Sequence, residues 1–65
     1  MHDAPNIGQT VRLNRPKSVD HGHVFEVVAV HPSGKLADIK KPGEHLWKIY
    51  TEPVANLMHP DWLPN

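Results

Sequence analysis

Gly22-His23-Val24-Phe25-Glu26-Val27-Val28-Ala29-Val30-His31-Pro32-Ser33-Gly34-Lys35-Leu36-Ala37-Asp38-Ile39-Lys40-Lys41-Pro42-Gly43-Glu44-His45-Leu46-Trp47-Lys48-Ile49-Tyr50 is the stretch on which the fold turns: three β-rich runs separated by two turns, each with a proline and a glycine. Val24 to Val30 is the strongest strand candidate, dense in β-branched residues. Val24, Val28 and Val30 share one face with Glu26, while Phe25, Val27 and Ala29 share the other. Apolar residues on both faces suit a central strand that bends across a barrel and meets the core from each side of the bend. In His31-Pro32-Ser33-Gly34 the proline holds the second turn position and the glycine the fourth, the pattern of a type I turn closed by a left-handed glycine. The run before that turn therefore pairs antiparallel with the run after it, whose apolar members are Leu36, Ala37 and Ile39. Lys41-Pro42-Gly43-Glu44 asks for type II geometry, and the spacing predicts a further strand from His45 to Tyr50, with His45, Trp47 and Ile49 on one face and Leu46, Lys48 and Tyr50 on the other.

Upstream, Val11 and Leu13 alternate with Thr10 and Arg12 as a half-buried strand should. Asn14 to His21 has Val19 as its only apolar member beside Pro16, Ser18, Asp20, Arg15 and Lys17; it reads as an exposed loop, either merely solvated or a contact surface for an anionic partner. Downstream, Pro53 sits where a first helical turn tolerates it, and Val54 and Leu57 are three apart, which fits a single 3-10 turn. The expected architecture is all-β, a five-stranded barrel with strands near 10–14, 24–31, 35–41 and 45–50, a 3-10 turn at about 53–56 and a short strand after 57. Residues 1–6 read as a frayed, disordered start, 7–58 as the barrel and 59–65 as a C-terminal tail in which Pro60 and Pro64 exclude regular helix.

At 65 residues the chain has room for one domain with a marginal core. It has no cysteine, so disulfides and thiolate metal sites are excluded. Self-association would supply what a staple cannot, and Met58, Trp62 and Leu63 are apolar enough to mark an interface, so a homo-oligomer is an open expectation. Seven basic residues balance seven acidic ones, which removes the net positive field of non-specific phosphate binders but leaves local patches possible. No apolar run approaches the roughly 20 residues of a membrane helix, and Met1 to Asn6 has no secretory signature, so no membrane association and a cytoplasmic location are expected. Six histidines include the pair His21 and His23, but a third and fourth metal ligand cannot be placed beside them from sequence, so no metal site is assigned. Ser18 and Ser33 lack any activating context, and no catalytic residue is assigned.

Ile7-Gly8-Gln9-Thr10-Val11-Arg12-Leu13 looks like the opening strand of SH3-like small barrels, and a 3-10 turn before a short last strand is similar to theirs. Gly22-His23-Val24-Phe25-Glu26-Val27 resembles the turn-and-strand signature of KOW and Tudor-like barrels, with Phe25 where those usually have a second glycine; that resemblance implies a binding role toward RNA or protein. Trp47-Lys48-Ile49-Tyr50 followed by Pro53-Val54-Ala55-Asn56-Leu57 resembles plasmid-borne, trimethoprim-resistant dihydrofolate reductases, whose homotetramers hold NADPH and dihydrofolate in a central pore. There Lys48 stands in place of a glutamine and Leu13 in place of a lysine, and Thr51-Glu52 is inserted before Pro53.

The functional expectation is a small non-catalytic module that binds a protein or nucleic-acid partner, without a cofactor, through Lys48, Ile49, Tyr50, Arg15 and Lys17. The alternative is an NADPH-dependent dihydrofolate reductase acting as a homotetramer, in which the resemblance implies that Ile49 holds the ligand rings and Tyr50 contacts the cofactor.

Overall fold

A computed structural model describes residues 4–45 and 47–64. The chain is all-β, with strands β1 (Thr10–Leu13), β2 (Val24–Val30), β3 (Leu36–Lys40) and β4 (Tyr50–Pro53), a 3-10 turn at Val54–Asn56, and β5 (Leu57–Met58). The strands form one antiparallel sheet in the order β4-β3-β2-β1-β5, an order compatible with an SH3-like fold. Among the described residues no ladder joins β4 to β5, so the sheet is open and those two strands are its edges.

The β2–β3 hairpin forms as its turn residues dictate: Gly34 has φ +74° and donates its N–H to the His31 carbonyl at 2.8 Å. Between Val27 and Ala29 the register slips, with Val27 opposite Ile39 and Ala29 opposite Asp38, so Val28 is an extra residue in β2. The bulge explains the apolar residues on both faces of this strand. Before it Phe25 and Val27 face the core; beyond it the alternation is reset, and Val30 packs on the same core. That core is Val11, Leu13, Phe25, Val27, Ala37, Ile39, Val54 and Leu57.

The strand expected at 45–50 is a correction. Gly43 adopts φ +82° and the Glu44 N–H bonds the Lys41 carbonyl, so the turn itself forms. It does not close a tight hairpin. The Lys48 N–H bonds the His45 carbonyl in a second turn, and the strand begins only at Tyr50; Leu46 lies outside the described residues. A tight hairpin at Lys41–Glu44 would set Lys48 opposite Ala37, over the core. In the observed register Glu52 lies opposite Ala37 and Tyr50 opposite Ile39, where its ring meets Phe25 edge-on at 6.3 Å. The other charged choice thus faces the core, and it has a cation to receive it.

The tail folds back along the chain, although Leu63 stays exposed. Arg12 donates from Nε to the Pro60 carbonyl and from Nη1 to the Gly22 carbonyl, both at 2.7 Å, and Trp62 meets His21 edge-on at 5.7 Å. Gly22, at φ +81°, sits under Pro64: a Cβ there would lie 2.7 Å from the Pro64 Cγ. Gly34 has open space around it, so Gly34→Ala carries only the left-handed backbone cost of roughly 1–2 kcal/mol. Gly22→Ala is expected to cost more than Gly34→Ala in urea denaturation and to change the Trp62 fluorescence, which Gly34→Ala leaves alone; equal losses would mean that the tail does not rest on Gly22.

Candidate functional site

On the open side of the sheet the β1–β2 loop and β4 face each other across a cleft of about 430 Å³. Ile49, Tyr50, Thr51 and Glu52 form one wall; because they are consecutive, that wall follows the chain rather than one face of a strand. Leu13, Arg15, Ser18 and Asp20 form the other, and Phe25 and Ile39 close the bottom.

The loop wall is built by successive turns: the Ser18 N–H donates to the Arg15 carbonyl at 2.8 Å, His21 N–H to Ser18 at 3.2 Å and His23 N–H to Asp20 at 3.0 Å. The Arg15 N–H donates to His21 Nδ1 at 2.9 Å, and the Asn14 N–H to the Asn56 carbonyl at 2.7 Å, which ties the loop to the 3-10 turn. A segment that reads as a solvated loop is therefore knit to itself and to distant residues.

Two ion pairs span from this loop to the opposite side. Arg15 Nη1 donates to Glu52 Oε1 at 2.7 Å and lies 3.4 Å from Oε2. The Glu52 side chain is 5% exposed and that of Arg15 60%, so the carboxylate is buried and the guanidinium reaches in from solvent. Asp20 pairs with Lys41 at 2.9 Å and with His23 at 3.3 Å. The hydrogen bond from Lys41 holds the Asp20 carboxyl below its ordinary value against the opposing effect of desolvation, and the same bond raises Lys41. On the outer face of the sheet Thr51 Oγ1 donates to Asp38 Oδ1 at 2.7 Å and His31 Nε2 lies 3.0 Å from the same oxygen; both, Thr51 first, lower the Asp38 carboxyl, and the Thr51 bond ties β4 to β3.

Of the residues singled out from sequence, the cleft brings together Arg15, Ile49 and Tyr50. Lys48 does not line it: its ammonium lies 3.7 Å from Glu44 Oε2 and 5.2 Å over the Trp47 ring, which stacks on His45. Lys17 is exposed on the loop and does not line it either. Glu52, Asp20, Ser18 and Thr51 are the site residues that sequence reasoning passed over. A signal for Glu52 existed in the alternation Tyr50, Glu52, Val54, whose intervening Pro53 marks an edge strand. No three His, Asp or Glu side chains converge as metal ligands among the described residues. No helix among them is long and apolar enough to cross a membrane.

Comparison with protein-family models, curated proteins and solved structures finds no match for this chain.

Proposed function

We propose that this chain is a small, non-catalytic interaction module of SH3-like type that receives a segment of a protein partner in the cleft between the β1–β2 loop and β4. The observation that carries this reading is the state of the cleft's charges: Arg15 is paired with Glu52 and Asp20 with Lys41, while Ile49 and Tyr50 stay 39% and 50% exposed at the rim. A phosphate backbone needs cations free to exchange their counterions. Here the cations nearest the cleft are neutralised by carboxylates of the same chain, and Lys48 is engaged by Glu44. Lys17 and Lys35 have no carboxylate partner among the described residues, but they belong to the connections at opposite ends of β2 and neither lines the cleft. A mixed apolar and polar cleft of this volume falls within the size range of binding pockets, about 300–1,000 Å³.

Selection from a display library of random dodecapeptides is expected to give binders whose affinity falls about tenfold or more when Ile49→Glu places a charge on the rim. Binding of mixed-sequence RNA that weakens steeply with salt, with no peptide selected, would overturn the reading in favour of nucleic acid. The same protein is expected to give no NADPH-dependent reduction of dihydrofolate. An ammonium at position 48 only donates hydrogen bonds where an amide both donates and accepts. Trimethoprim-resistant turnover would establish the reductase instead.

A further inference from the structure

The cleft lies along a sheet edge, and the register of β4 decides what that edge offers. The Val54 N–H donates to the Lys35 carbonyl at 2.9 Å, in line with the β3–β4 register of Leu36 with Pro53 and Ala37 with Glu52. In an antiparallel ladder hydrogen-bonded and non-hydrogen-bonded pairs alternate. With Val54 bonded to Lys35, the next bonded residues of β4 are Glu52 and Tyr50, and Thr51 and Pro53 turn their main-chain groups away from β3. The short side-chain bond from Thr51 to Asp38 agrees, because side chains approach more closely in non-bonded pairs. Pro53, which has no N–H, stands where the ladder asks for none. The open edge therefore presents the Thr51 N–H and the carbonyls of Thr51 and Pro53.

Resting on the reading of the cleft as a peptide site, we infer that the partner segment binds as an added β-strand along the outer edge of β4, between that edge and the β1–β2 loop. An extended backbone matches donors and acceptors at strand spacing, whereas a helix has already bonded its own main-chain groups. The chemistry of the segment follows from the charges. Every charged side chain lining the cleft is already paired within the chain, so a charge on the partner at this point would compete with an existing ion pair. The occupant is an extended peptide, uncharged where it enters the cleft, with an aliphatic or aromatic side chain against the exposed Ile49 and Tyr50. Pro53 donates nothing, so the added ladder is short and centred on Thr51.

The experiment uses the isotope-labelled full chain and one synthetic peptide from the display selection. Thr51→Pro removes the outward N–H, and Thr51→Val removes the hydroxyl and its bond to Asp38 but keeps the N–H. Expected are protection of the Thr51 amide from exchange on peptide addition, a loss of about tenfold or more in affinity for Thr51→Pro, and a clearly smaller loss for Thr51→Val. Should Thr51→Pro fold poorly, the wild-type chain and peptides N-methylated on alternate residues answer the same question: one parity must lose binding and the other keep it. A peptide that binds with the Thr51 amide unprotected and with both methylation patterns tolerated overturns strand addition and leaves the interaction reading standing. Failure to select any peptide overturns both. A dimer by light scattering that excludes the peptide and dissociates in Thr51→Pro assigns the edge to a second copy of the chain and overturns the inference.

Discussion

Phe25→Ala is expected to leave the chain without a cooperative folding transition. Phe25 is 1% exposed and is the largest of the fully buried side chains. It pairs with Val11 of β1 from the central strand and meets Tyr50 of β4, so it joins the sheet from one side to the other. Truncation of a buried phenylalanine costs about 3–5 kcal/mol through lost transfer free energy and the cavity left behind. At roughly 0.05–0.15 kcal/mol per residue, a chain of this size has about 3–10 kcal/mol in all. The loss takes from about a third to all of it, and at the low end of that range, where a core this small belongs, no transition is left. Far-UV circular dichroism and urea denaturation check the outcome, with Phe25→Leu, a smaller change in shape and volume, expected to keep a transition shifted by about 1–2 kcal/mol. A sharp transition in Phe25→Ala, displaced by less than about 1 kcal/mol, would mean that the centre of the core lies elsewhere.

The parts of this fold that the sequence makes legible are those decided by neighbours in the chain. Val24–Val30, the Pro32 and Gly34 turn and Leu36–Lys40 follow from β-branching, turn chemistry and period, and the apolar residues on both faces of β2 anticipate its bulge. The start of β4 was not legible. Pro42 and Gly43 make a turn whichever register follows, and the choice between Lys48 and Glu52 opposite Ala37 rests on Arg15, which is 37 residues away from Glu52. The same distance problem hid the site. Arg15, Ile49 and Tyr50 draw notice as exposed-loop and strand-end residues, but the order within the loop depends on the Arg12 clamp on the tail and on the bond from Asn14 to Asn56. Lys17 stands out by its charge, and Lys48 by its charge and its place in the Trp47–Tyr50 stretch, but neither signal distinguishes a ligand-facing cation from one held by a local glutamate, as Lys48 is by Glu44.

Arg15→Ala is the second large effect, because it separates the two ends of one ion pair with different surroundings. Exposed pairs contribute about 0.2–1 kcal/mol, and removing one partner of a fully buried pair costs about 3–5 kcal/mol. Here the guanidinium is largely in solvent and the carboxylate is not, so truncating the arginine strands Glu52 against Ala37 without its cation. The expected loss is about 2–3 kcal/mol, between those limits and in line with the cost of an unsatisfied buried polar group. Glu52→Gln is expected to lose less, since the amide oxygen still accepts from Arg15 and no buried charge is left behind. The sharpest test is the double change. If the cost of Arg15→Ala is the stranded carboxylate, adding Glu52→Leu must recover part of it, because an apolar side chain opposite Ala37 has nothing to be satisfied. If the arginine acts instead by bracing the loop through its own aliphatic stem, Glu52→Leu will add its own loss and recover nothing. Urea denaturation of wild type, both single variants and the double variant reads the coupling directly, and additive losses would remove the Arg15–Glu52 pair from the account of why β4 takes its observed register.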